Sequence, residues 1–111
     1  MPGRTIQRSD IWIADLGYSG KIRPVLVISM PPTDHERALF IVMAHTTARW
    51  NTQYEVSISH PALQPGAFDA QQIFLLPPVK LERKLGVLMP AQMAQIEVVL
   101  ARILGLTLAG Q

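Results

Sequence analysis

The stretch Gly20-Lys21-Ile22-Arg23-Pro24-Val25-Leu26-Val27-Ile28-Ser29 constrains the fold most. It runs from a basic turn into an unbroken apolar, β-branched segment closed by Met30-Pro31-Pro32. A short apolar run without polar alternation, bounded by prolines, reads as a strand buried on both faces, and so as the centre of the fold. Pro24 has no amide hydrogen and a fixed φ, which places it at the start of a strand and keeps Arg23 extended before it. The consequence is a guanidinium presented at the mouth of a rigid strand, where chemistry is expected.

With 111 residues the chain is expected to form one domain over residues 1–111 around a single core. No window approaches the roughly 18 apolar residues of a membrane span, so no membrane partner is expected. The N-terminus lacks the apolar centre of a signal peptide, and a chain with no cysteine has neither a disulfide framework nor a thiolate metal site. Together these point to the cytoplasm. The net charge of +2 is too mild to mark a nucleic-acid binder by its sum, so where the cations cluster matters more. His35, His45 and His60 lack metal-ligand spacing, and no metal or other cofactor is expected.

Along the chain, residues 1–8 read as a flexible N-terminal arm. Residues 10–16 mix β-branched and aromatic side chains as a strand does, and the glycine-bracketed turn Gly17-Tyr18-Ser19-Gly20 joins them to the central strand as a hairpin. Pro31-Pro32-Thr33-Asp34-His35-Glu36-Arg37 is an exposed loop. Residues 38–44 form a second buried strand ending at His45-Thr46-Thr47-Ala48-Arg49-Trp50. Residues 54–59 alternate as an edge strand, 68–76 make another strand, 79–84 a short helical or irregular turn, and 85–88 a short last strand. Pro90 suits the first turn of a helix whose stripe Met93, Ile96, Leu100 and Ile103 recurs at spacings of three and four, with Gly105 placed to end it. The expected fold is mainly β with a C-terminal helix, its antiparallel sheet closing as a small barrel.

Four segments in this order resemble the MazF/PemK family, the endoribonuclease toxins of bacterial toxin and antitoxin pairs. They are residues 9–16, the diagnostic Gly20-to-Ser29 stretch, Ala44-His45-Thr46-Thr47, and Gln72-Ile73 followed by Leu85-Gly86-Val87-Leu88 and a helix ending Leu104-Gly105-Leu106. The resemblance covers roughly residues 9–106. It implies an SH3-like barrel of the PemK/CcdB toxin type, a homodimer, metal-independent cleavage of single-stranded RNA, and a cognate antitoxin that covers the site.

The resemblance also implies roles. Arg23 and Thr46 match the family's catalytic arginine and threonine, with Thr47 one register step away. Tyr18, Lys21, Arg49 and Gln72 would hold the flanking RNA through phosphate contact, stacking and base edges. An arginine is a donor-only group, so Arg23 is assigned first to the phosphate oxygens in the transition state. The chain departs from the family at Gln71, where an acidic residue is common and an aspartate thereabouts is regarded as the general base in the PemK branch. Either Arg23 and Thr46 suffice, or His45 substitutes; Asp69 stands two residues upstream. Trp50 is an aromatic that either stacks on a base or covers the core. The competing readings are a toxin-fold inhibitor of a protein target, as the gyrase poisons are, and an inactive relative that binds RNA or antitoxin.

Overall fold

A computed structural model describes residues 5–17 and 21–107. Six strands precede one long helix: β1 (Asp10–Asp15), β2 (Ile22–Val27), β3 (Phe40–Thr46), β4 (Glu55–Val56), β5 (Ala67–Leu76) and β6 (Leu81–Val87), then α1 (Pro90–Leu104). They form one sheet in the order β4-β5-β3-β2-β1-β6, and every pairing is antiparallel. The mainly β architecture with its C-terminal helix is as the sequence predicts. The expected hairpin is the β1–β2 pair, with Trp12 opposite Val25 and Ala14 opposite Arg23.

The central strand is buried on both faces, as expected, with Val25, Leu26 and Val27 sealed from solvent. Alternation sorts its side chains into two cores. Val25 and Val27 join Trp12, Ala14, Val42 and Ala44 in one. Leu26 joins Ile11, Met43, Phe68 and the helix residues Met93, Ile96 and Val99 in the other. Among the described residues no helix contributes to the first core, so the curl of the sheet itself covers it. The second is covered by α1, whose stripe lies inward. Gln92 Oε1 accepts the Met89 amide at 2.8 Å at the helix start. Gly105 takes the left-handed φ of 68° that ends it.

Three expectations change. The arm is not free over its whole length: Ile6 is buried, and Arg8 donates to the Ile28 carbonyl (3.1 Å) and pairs with Glu97 on α1 (2.8 Å). Residues 81–84 are strand rather than turn; only Pro78–Lys80 form a 3₁₀ turn, because β1 offers a free edge and two carboxylates. Lys80 lies 3.6 Å from Asp15 and Lys84 3.3 Å from Asp10, so both cations meet carboxylates of β1. The edge strand expected over 54–59 shrinks to Glu55–Val56, although Ile58 beyond it is buried. Among the described residues no helix is long and apolar enough to cross a membrane.

Asp10 joins three parts of the molecule. Its buried carboxylate accepts the Gln7 amide at 2.9 Å and the Trp12 indole N–H at 3.2 Å, and meets Lys84 of β6. Removing it strands buried donors. Asp10→Ala is expected to lower stability by about 2–4 kcal/mol, read as a fall in the urea midpoint at unchanged m-value.

Candidate active site

The columns of side chains that fill the sheet-enclosed core end in polar residues on one side. On β2 the sequence Val27, Val25, Arg23 turns from valine to guanidinium. On β3 Phe40, Val42, Ala44 lead to Thr46, and on β5 Leu76 and Phe74 lead to Gln72. The registers Val25 opposite Ala44 and Val42 opposite Phe74 set these three ends side by side. They open on a cleft of about 530 Å³ lined also by Lys21, His45, Thr47, Trp50 and Gln64.

Arg23 is held without being neutralised. Its Nε and Nη2 donate to the His45 carbonyl at 3.2 and 2.9 Å, and Nη1 donates to Gln72 Oε1 at 2.7 Å. Gln72 Nε2 in turn donates to Asp69 Oδ2 at 3.0 Å. A guanidinium only donates and a carboxylate only accepts, so the Gln72 amide between them has one orientation. Three donors of the fork are used, which leaves an N–H on each terminal nitrogen for two oxygens of a ligand.

Thr46 is buried, with its hydroxyl accepting the Ala48 amide (3.0 Å) and donating to the Ala48 carbonyl (3.3 Å). The second bond is long, so the hydroxyl proton is readily redirected to a ligand oxygen while the first bond keeps the side chain in place. Thr47 lines the same cleft and is exposed.

His45 faces away. Alternation puts its ring on the helix side of β3, edge-on to Phe68 with ring centres 5.1 Å apart. Only 3% of the residue is exposed, and its buried Nε2 has no hydrogen-bond partner among the described residues. Burial, and secondarily the Arg23 charge, lower the imidazole pKa from 6.5. The cleft therefore uses the His45 carbonyl, while the ring packs on the other side of the strand.

Of the remaining site residues named from sequence, Lys21 and Gln72 line the Arg23 cleft. Arg49 does not; it borders a neighbouring recess of about 360 Å³ with Ser57, Ser59 and His60, which meets the cleft at Gln64. Tyr18 lies outside the described residues. Sequence reasoning missed Gln64, and it missed Asp69 as the anchor of Gln72. A buried acid within the strand Phe68-Asp69-Ala70 was the available signal. It also missed Gly66, where an added Cβ would overlap the Thr46 carbonyl and lie 2.9 Å from the His45 ring. The Pro65-Gly66 pair that follows Gln64 was its signal.

Residues 7–104 match the family of PemK-like, MazF-like toxins of type II toxin-antitoxin systems. The chain belongs to that family. The fold agrees with an endoribonuclease solved with its cognate antitoxin from a mycobacterial species. That match has 28% identity and a TM-score of 0.80, and covers 94% of this chain and 99% of the other. A second mycobacterial endoribonuclease is 26% identical over 95% of this chain and 96% of its own, at a TM-score of 0.78. A MazE-MazF crystal structure from Deinococcus radiodurans shares the fold at 18% identity and a TM-score of 0.75, covering 95% and 100%. None of the curated proteins compared with this toxin matches it.

Two measurements check this geometry. Gly66→Ala is expected to push the end of β3 away, losing about 1–3 kcal/mol of stability together with the Arg23 anchor. An unchanged urea midpoint would contradict it. For pH, the folded toxin binds fewer protons at His45 than the unfolded chain between the lowered pKa and 6.5. His45 therefore contributes stability above pH 6.5 that is lost as pH falls through the folded pKa. The slope of stability against pH in that window should flatten in His45→Gln.

Proposed function

We propose that this toxin is an endoribonuclease that cuts single-stranded mRNA in the cytoplasm by attack of the substrate's own 2′-hydroxyl. The oxygen–phosphorus bond to O2′ forms as the bond to O5′ breaks. The 2′ proton is lost and O5′ gains one, which leaves a 2′,3′-cyclic phosphate and a 5′-hydroxyl. The observation that carries the reading is the Arg23 fork, pinned by a carbonyl and an amide with its terminal N–H groups open to the cleft.

In this reading Arg23 binds both non-bridging oxygens as charge grows on the phosphorane, where preorganised donors act most strongly. Thr46 donates its hydroxyl to one of those oxygens. Gln72 holds the guanidinium plane, and Lys21 and Arg49 carry the flanking phosphates. No metal or cofactor has a part in these steps. The imidazole of His45 is left out, since its Nε2 is closed off, and its carbonyl serves Arg23 instead. Both mycobacterial relatives are endoribonucleases, which supports the reaction class.

The same reading gives this toxin a cognate antitoxin, as the first of those relatives has. An acidic extended segment laid over the open guanidinium would satisfy it and block RNA. A homodimer fits the exposed Ile41, Ile73 and Leu75, which β3 and β5 bring together through the pairs Ile41 to Leu75 and Met43 to Ile73.

Incubation of long single-stranded RNA with the protein in excess EDTA, with analysis of both fragment ends, tests the proposal. Discrete cuts with cyclic phosphate ends are expected. Arg23→Ala should lower the rate by about 10²–10³-fold with the fold kept. A 5′-phosphate product would refute the mechanism. Toxicity that survives Arg23→Ala would favour a protein-target inhibitor.

A further inference from the structure

Trp50 is one of two tryptophans, and the two are placed oppositely. Trp12 is core, whereas Trp50 is 83% exposed. A large apolar ring left in water is a poor use of a tryptophan unless something covers it. Its backbone is nevertheless held firmly. The Glu55 carboxylate accepts the amides of Trp50 (2.8 Å) and Asn51 (2.7 Å), and Asn51 takes a left-handed φ of 58° to allow this. The Arg102 guanidinium at the end of α1 ties the same loop through the Gln53 carbonyl at 2.9 Å.

The indole borders the Arg23 cleft on one side. On the other it lines a recess of about 270 Å³ whose remaining walls are Ala48, Asp69, Gln71 and Gln72. Each Asp69 oxygen already accepts one bond, Oδ1 from the Gln71 amide at 2.9 Å and Oδ2 from Gln72 Nε2 at 3.0 Å. A carboxylate has about four acceptor positions, so each oxygen keeps one for a ligand. Gln71 is exposed beside it and offers both a donor and an acceptor.

We propose that this recess is a base-reading subsite: one unpaired base next to the bound phosphate stacks on Trp50 and is read through its N–H donors by Asp69, with Gln71 closing its edge. The inference rests on the RNA-cleaving reading above and adds the substrate's base preference. Guanine fits best, because its Watson–Crick edge carries two adjacent donors, N1–H and the N2 amine. Uracil fits worst, because its one N–H lies between two carbonyls that face an acceptor-only carboxylate. Stacking tolerates any base, so discrimination comes from the carboxylate and affinity from the indole.

Single-stranded 2′-O-methyl oligonucleotides cannot be cut by their own 2′-oxygen and serve as the probe. Oligouridine and the same strand carrying one guanine are titrated against the whole protein, with tryptophan fluorescence as the signal. The guanine strand should quench Trp50 and bind at least about tenfold more tightly. Trp50→Leu should weaken its binding by about 5- to 100-fold and raise KM for a cleavable RNA more than it lowers kcat, with Trp50→Phe recovering most of the loss. Asp69→Asn exchanges an acceptor for an amide and should shift preference toward uracil, which a merely structural role would not do. Equal binding of both strands, an affinity unmoved by Trp50→Leu, or a preference unmoved by Asp69→Asn, in a protein that still cleaves RNA, overturns the subsite alone. Failure to bind any strand together with failure to cut RNA overturns the nuclease reading beneath it.

Discussion

Everything in the candidate site depends on strand alternation being continued past the end of an apolar core. β2, β3 and β5 each send every second side chain into the volume that the curled sheet encloses, and at one end of that volume the inward positions become Arg23, Thr46 and Gln72. Their backbones lie within β2, β3 and β5. The three polar side chains are therefore positioned by ladders and packing rather than by loop conformation, which is what preorganised chemistry requires. Just past this point the ladder changes register. Two steps along β3, from Met43 to His45, face five along β5, from Ile73 to Phe68. The surplus residues on β5 are those that place Asp69 behind Gln72 and let β4 pair alongside, at Glu55 with Asp69. The irregularity lies where the recess beside Trp50 opens, as bulges beside functional sites do.

Much of this was legible in the sequence, for identifiable reasons. The double-sided burial of β2 followed from an apolar run that prolines bounded, and the helix from its stripe, Pro90 and Gly105. Arg23 was legible because Pro24 holds it extended, although β2 begins two residues before that proline, at Ile22, and Pro24 lies within the ladder opposite Ile13. Choosing between His45 and Thr46 needed the parity of β3, which its own pattern hides: the run Phe40-Ile41-Val42-Met43-Ala44 is apolar at every position and shows no face. Only the partners Val25 and Phe74 settle it. The register change was illegible as well. Nothing local marks a surplus on β5, and without it Asp69 cannot be connected to Gln72. Residues 79–84 read as a turn after Pro77-Pro78, yet a strand edge lined with Asp10 and Asp15 accommodates Lys80 and Lys84 as a short range of sequence alone could not show.

The way Arg23 is held bears on what the cleft can do. An arginine fixed by a carboxylate would be positioned equally well, but its charge would be spent within the protein and a phosphate would have to displace the partner. Here the direct partners are a backbone carbonyl and a side-chain amide, both neutral. The carboxylate stands one residue further back, on the far side of the Gln72 amide. Asp69 thus fixes the geometry of Arg23 without neutralising it. Gln71 joins this chain of bonds through its backbone amide, which donates to Asp69 Oδ1 at 2.9 Å, and Asp69 is itself almost fully buried.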